Sequence, residues 1–314
     1  MMLLAIAFGV LVGSMTTAMA QAYPSRPITI IVPFPPGGNT DIMARALQVE
    51  ISKSLRQTII INNKSGASGT LGIRDFVKAE PDGYTLALTP NNTLTAQPHL
   101  QKLPYGVDSF RYVCLTYYTP YVLIAAPQAP FKTFDEFVKF ARAKSENLVY
   151  ATAGPATTPH LVMLNVLKAI GATGLAVPFQ GEGPQTQALL TSTAMATTST
   201  PAVAVAGNLP VLAALSDERI VTLPAVPTMR ELGFPAEGFT AGGLIALAAT
   251  RDDVIAVLEK ACGEATSASE YKAILERLNV TPRYLPGAAF RKLFEAESIR
   301  SADAILRAGL AANR

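Results

Sequence analysis

The chain carries little of what covalent chemistry needs. Its 314 residues include only two histidines, His99 and His160, and two cysteines, Cys114 and Cys262. Neither histidine has a cysteine, histidine or carboxylate at ligand spacing, so no metal site and no cofactor is expected. There is no G-x-S-x-G nucleophile elbow, phosphate-binding loop or C-x-x-C pair, and two histidines leave little for general acid–base work. An enzyme reading then survives only through a carboxylate pair brought together by folding. Charge of one sign is also missing: 26 Lys and Arg stand against 23 Asp and Glu, with no basic run of the kind that follows a nucleic-acid backbone. Nucleic acid is not an expected partner.

Long apolar runs are confined to the start. Residues Met1 to Ala20 hold no charged side chain and end in Ala18-Met19-Ala20, a small-x-small pattern where a signal peptidase would cut before Gln21. This reads as an export signal, and the mature protein is expected outside the cytoplasm. The segment lacks a basic n-region, which fits a start upstream of Met1; an uncleaved anchor is the alternative. After it, the alanine-rich stretch Ala202 to Leu215 is broken by Gly207, Asn208 and Pro210, too short to span a bilayer. Export permits a disulfide between Cys114 and Cys262 and burial permits two free thiols, and spacing alone decides neither.

What is present is a repeated junction. Four times an apolar run breaks into a glycine-bearing turn and restarts at helical period: PFPPGGNTD from Pro33, KSGASGTLG from Lys64, TAGPATTPH from Thr152 and FQGEGP from Phe179. A strand that turns through glycines into a helix aims unpaired backbone N–H groups, and the positive end of the helix dipole, at whatever lies ahead. Such a junction seats a carboxylate or phosphate. Two junctions fall in the first third and two in the middle, the layout of two lobes facing across a cleft.

The pattern between them is α/β. The β-branched run Ile28 to Val32 reads as a buried strand, followed by a helix from Asp41 to Leu55; Ile59 to Ile61 and Tyr84 to Thr89 are the next strands, with a helix to about Ala79 between them. A second unit opens with a strand over Tyr121 to Ala126 and a helix from Thr133, whose capping box is completed by Glu136. Strands 148–152 and 175–179 enclose a helix from Leu161. After Thr240 come an apolar strand, Gly243 to Ala248, and two helical stretches. The last, Ala288 to Ala311, is read as amphipathic, with Phe290, Leu293, Phe294, Ile299, Ala302, Ile305 and Leu306 on one broad side returning to the first lobe. The domains expected are a signal peptide over 1–20, one lobe from 21–124 plus 240–314, and a second from 125–239. Two crossings make a hinge.

At these motifs the sequence resembles the periplasmic receptors of tripartite tricarboxylate transporters, also called the Bug family. The likeness rests on Tyr23-Pro24-Ser25-Arg26-Pro27, Pro33-Phe34-Pro35-Pro36-Gly37-Gly38 with Asp41 and Arg45, Gly66-Ala67-Ser68-Gly69, Pro81-Asp82-Gly83-Tyr84, Leu103-Pro104-Tyr105, Tyr150-Ala151 with Gly154 and His160, Val177-Pro178-Phe179 with Gly181, and Val226-Pro227-Thr228 with Glu231-Leu232-Gly233. It covers essentially the whole mature chain in order. The resemblance implies a two-lobed periplasmic-binding fold of type II that holds a small carboxylate, largely through loop backbone and water, and delivers it to membrane permease subunits. The chain departs from the family's pattern at Thr191 to Met195, where an expected acidic group is absent, which argues against an amino-acid ligand. It also departs at Thr250-Arg251, in a shortening before Gly207 and in having no tryptophan.

The candidate ligand-binding residues are Gly37, Gly38, Asn39, Thr40 and Asp41 on the first turn, Ser68 and Gly69 on the second, and Asn91 after the third strand. Facing them are Thr152, Gly154, Thr157 and His160 on the third turn, and Phe179 and Gly181 on the fourth. Each also has a plain local reading: glycines for tight turns, Asp41, Thr40 or Thr157 as helix caps, His160 as a structural histidine, Phe179 as core. Arg45 and Arg74 lie inside helices and are read as ion-pair partners. The function expected is a monomeric solute-binding receptor. A ligand-gated sensor docking to a membrane kinase would use the same cleft.

Overall fold

A computed structural model describes residues 23–311 apart from Lys144 and Gln180. The proposed export signal lies outside these residues. Two β-sheets organise the chain. The first, in spatial order, joins β11 (Pro282–Pro286), β4 (Phe110–Pro120), β10 (Phe239–Leu247), β3 (Thr85–Pro90), β1 (Ile28–Val32) and β2 (Ile59–Asn63). The second joins β7 (Leu175–Pro178), β6 (Val149–Thr152), β8 (Ala196–Ser199), β5 (Val122–Ala125) and β9 (Val211–Ala214).

The expected parallel crossovers are present where strands alternate with helices: β1 runs parallel to β2 and β3, and β6 to β7 and β8. Elsewhere the sheets are mixed. β10 lies antiparallel between β3 and β4, and β5 antiparallel between β8 and β9. The chain changes sheets at Tyr121, whose N–H donates to Gly238 O at 2.7 Å and whose carbonyl accepts Leu215 N–H at 2.9 Å. Both passages between the sheets therefore meet at one residue.

Helices cover both faces of the first sheet, which is why its strands read as continuous apolar runs. Ile28, Ile30 and Val32 face a core shared with α1 (Asn39–Leu55), α9 (Asp252–Ser267) and α10 (Ser269–Arg277). Ile31 faces the opposite core, with α2 (Thr70–Phe76) and α11 (Gly287–Arg307), where Phe290 and Phe294 are fully buried against Tyr112. Each of those rings contributes on the order of 2 kcal/mol by burial. Cys114 of β4 and Cys262 of α9 are joined by a disulfide across a sequence separation of 148.

The second sheet carries its own core, built from Val122, Leu123, Ile124, Phe131, Phe137, Tyr150, Met163 and Leu189. It is flanked by α5 (Phe134–Ala143), α6 (Thr158–Ala169), α7 (Glu182–Leu190) and α8 (Pro201–Ala206). The capping box of α5 is formed as expected: Glu136 N–H donates to Thr133 Oγ1 at 3.3 Å, and Thr133 N–H to Glu136 Oε2 at 3.2 Å.

Helix α11 corrects the apolar side assigned to it. Its buried side is Phe290, Phe294, Ser301, Ala304 and Ile305, whereas Ile299 and Leu306 are 73% and 71% exposed. Nine residues past Phe290 is two and a half turns, so Ile299 faces away from it. The helix also does more than return to the first sheet. Its last turns reach α6 of the second: Ala304 and Ile305 pack with Ala96, Ala156 and Leu161, Asp303 pairs with Lys168 at 3.0 Å, and Arg307 donates to Asn165 Oδ1 at 3.0 Å. α11 thus straps the two halves together on one side.

Candidate functional site

Between the two sheets lies a cavity of about 440 Å³. Its first wall comes from Phe34 on the loop into α1, from Asn39 and Thr40 in the first turn of that helix, from Tyr117 and Thr119 of β4, and from Thr240 of β10. Its second wall comes from Glu182 of α7 and from Thr200, Ala202 and Val203 at the start of α8. A larger surface groove, about 840 Å³, is lined by Lys64, Arg74, Asp75 and Lys78. That groove belongs to the first sheet alone, so no approach of the two halves would close it. The cavity between the sheets is the candidate site.

The first turn meets it through the amino end of α1. The helix opens with Ile42 N–H donating to Gly38 O, which leaves the N–H groups of Asn39, Thr40 and Asp41 without an intrahelical acceptor. Gly37 takes a left-handed φ of 79° and directs its own N–H not outward but to Asp41 Oδ2 at 2.9 Å. Asp41 is buried and also accepts Arg45 Nε and Asn63 Nδ2, each at 2.9 Å. Burial acts to raise its carboxyl, but the bonds from Arg45, Gly37 and Asn63 prevail and hold it below the usual carboxylate range. Asp41 shapes the loop, while Asn39 and Thr40 line the cavity. Arg45 is an ion-pair partner, as read from sequence.

The second turn stands behind the first. Ala67, Ser68 and Gly69 all have positive φ, and a Cβ on Gly69 would sit 2.9 Å from Thr93 Oγ1 and 3.1 Å from the Phe34 ring. Gly69 thereby seats Phe34; Ser68 is exposed, with its carbonyl accepting Thr93 Oγ1 at 3.3 Å. Asn91, at the start of α3 (Asn91–Thr95), is buried and spends its amide on β10: Oδ1 accepts Ala241 N–H at 3.3 Å, and Nδ2 donates to Phe239 O at 3.5 Å. Its neighbour Asn92 reaches the other half, donating to Ala156 O at 3.4 Å.

The third turn is knitted to itself. Thr157 Oγ1 donates to Gly154 O at 2.8 Å, Thr152 Oγ1 accepts Gly154 N–H at 3.3 Å, and Phe179 N–H donates to Thr152 O at 2.8 Å. His160 Nδ1 accepts Ala156 N–H at 3.0 Å, which requires the neutral ring, and burial lowers its pKa. Thr152 at the end of β6, Gly154, Thr157, His160 in the first turn of α6, and Phe179 are therefore together around one turn, outside the cavity's lining. The fourth turn returns to it: Gly181, with φ of 99°, caps α7, and Glu182 follows it into the cavity.

Several lining residues were not legible as site residues. Tyr117, Thr119 and Tyr121 alternate along one face of the strand and its exit, a period-two signal that the sequence does carry. Burial holds the Tyr117 phenol above its usual range; burial, then the Glu182 carboxyl, do the same for Tyr121. Glu182 stood within the fourth turn, unmarked.

A family model described as the tripartite tricarboxylate transporter family receptor matches residues 43–310. The chain belongs to that receptor family. Protein BugT of Bordetella pertussis is 34% identical over 267 residues, covering 82% of this chain and 80% of BugT. In fold the chain is similar to a TctC solute-binding protein from Polaromonas, with a TM-score of 0.84 at 30% identity over 91% of this chain and 99% of that one. It is also similar to MatC from Rhodopseudomonas palustris, solved with bound malate, with a TM-score of 0.72 at 31% identity over 90% of this chain and 100% of that one. The family expected from the sequence motifs, and the two-sheet binding-protein fold, are thus found. The receptor family's motif strings mostly hold the frame here. Tyr23 Oη donates to Gly83 O at 2.7 Å and Arg26 pairs with Asp82 at 2.6 Å, tying one string to another. No helix among the described residues is long and apolar enough to cross a membrane.

Proposed function

We propose that the chain is an exported, periplasmic receptor that captures a small carboxylate in the cavity between its two sheets and delivers it to the permease subunits of a tripartite tricarboxylate transporter. The lobes, expected as 21–124 plus 240–314 and 125–239, are drawn here at Tyr121 and Gly238, where the chain changes sheets. The observation that carries the reading is the free amino end of α1 lining a cavity whose opposite wall belongs to the other sheet. Backbone N–H groups of Asn39 and Thr40 take the carboxylate oxygens, aided by the positive end of a 17-residue helix. The loop held by Gly37, Gly38 and Asp41 sets their direction. The second lobe closes over the ligand and gains contacts only in the closed form, which shifts the balance between open and closed.

The malate in the related MatC structure supports a carboxylate ligand. Each protein acts as a monomer in this reading, because one chain supplies both walls. The third turn, from Thr152 to His160, contacts the first lobe through the hydrogen bond from Asn92 to Ala156 O. Titration calorimetry of protein freed of co-purified ligand by unfolding and refolding tests the proposal, with a panel of di- and tricarboxylates, aromatic acids, nicotinate and both α- and ω-amino acids. Saturable one-to-one binding with the acid recovered unchanged is the expected result. No binding across the panel, or appearance of a product, would remove it.

A further inference from the structure

Of the described residues lining the cavity, Glu182 alone carries a charge, and it is negative. Its carboxylate makes no hydrogen bond or ion pair among the described residues, and no Lys, Arg or His lines the cavity with it. The side chain keeps solvent access through the open cleft, yet the protein mass around it raises its carboxyl above the usual range. An acid ligand anchored on the α1 amides would thus meet an uncompensated like charge from the opposite wall. The same cavity also presents three aromatic rings, Phe34, Tyr117 and Tyr121, whose π faces favour a cation.

From this arrangement we infer that Glu182 determines specificity by receiving a protonated amine, so that the ligand is an acid carrying its ammonium group at the end remote from the carboxylate. The inference rests on the proposed receptor function. The carboxylate end lies on the N–H donors of Asn39 and Thr40, the ammonium end on Glu182, and the carbon chain among the rings. A second carboxylate at the remote end would be repelled by Glu182, whereas an ammonium gains a charge-assisted hydrogen bond. The acidic group missing from Thr191 to Met195 is replaced, on this reading, by one supplied from a different turn.

The test is calorimetry on the wild type and E182Q with length-matched pairs: 4-aminobutyrate against succinate, 5-aminopentanoate against glutarate, and 6-aminohexanoate against adipate. Alanine, whose two charges sit together, is the control. The wild type should prefer the amine-bearing member of at least one pair. E182Q should lose roughly tenfold or more for that member and gain a similar factor for its dicarboxylate partner. The exposed, unbonded carboxylate makes E182Q an undemanding substitution; thermal unfolding verifies its fold, and E182A is the second variant. If the wild type binds an acid and neither variant changes the ratio within a pair by more than about twofold, the receptor reading stands and the role of Glu182 falls. A Glu182-dependent preference confined to alanine overturns the remote placement of the amine. If no acid binds either protein, both proposals fall.

Discussion

The Asp41 carboxylate accepts the backbone N–H of Gly37 at 2.9 Å, closing the turn that aims the amino end of α1 into the cavity. Its other oxygen accepts Asn63 Nδ2, so one buried side chain ties the turn to the end of β2. Asp41→Ala should cost about 2–3 kcal/mol, since it leaves these donors unpaired, and should weaken ligand binding because the turn loses its shape. Urea titration and calorimetry check the two effects.

The same carboxyl predicts an acid limb. Its pKa in the folded protein is depressed, so its contribution is present above the unfolded value of about 3.9 and is lost as pH falls through the lower folded value. Below about pH 4 the urea midpoint of the wild type should fall more steeply than that of Asp41→Asn. Parallel curves would remove Asp41 as the cause.

Asn39→Pro isolates a single amide. Asn39 is the first residue of α1, where proline is tolerated, and Gly38 before it already has the extended backbone that proline demands, with φ −74° and ψ 163°. The helix should persist with little change in melting temperature. Ligand affinity should drop by the worth of one hydrogen bond to a charged group, about 1.5–3 kcal/mol or roughly ten- to a hundredfold. Asn39→Ala, which keeps the N–H, reports the side chain's own share.

His160 holds the third turn in its neutral form by accepting Ala156 N–H. Burial depresses its pKa, so the contribution is whole above the unfolded value of about 6.5 and is lost as pH falls through the folded value. Thermal melts at pH 7.5 and 5 should show a smaller difference for His160→Gln than for the wild type. His160→Ala should cost about 1–3 kcal/mol at pH 7.5, because Ala156 N–H is left without its acceptor, and less at pH 5, where the wild type has already lost part of that contribution.

The Cys114–Cys262 bond links β4 to α9 and closes a loop of sequence separation 148. Replacing both cysteines by serine should cost about 2–5 kcal/mol of stability. Binding by the folded fraction should be unchanged, since neither cysteine lines the cavity. Denaturant titration and calorimetry separate the two.

Local features of the fold were legible because they depend on neighbours in sequence. The run Ile28 to Val32 is a strand with those bounds, and Thr133 with Glu136 caps α5. The strand β4 was not, although it is the longest: it is buried on both faces over most of its length, so apolar and polar residues do not alternate along it, and the period-two placing of Tyr117 and Thr119 is confined to its end. The candidate site divides the same way. Asn39 and Thr40 line the cavity, whereas Asp41 and Asn91 turn inward to hold neighbouring backbone. Residue type alone does not say which way a polar side chain faces.

The sequence by itself determined the strand–turn–helix junctions and the order of motifs that identifies the receptor family. Turn chemistry and periodicity act over a few residues, so they are written locally. Only the tertiary structure decided that Cys114 meets Cys262, that Arg26 meets Asp82, that α11 reaches both halves, and that Glu182 shares a cavity with the amino end of α1. Those neighbours are set by how two sheets and their helices pack, and packing joins residues that no local signal connects.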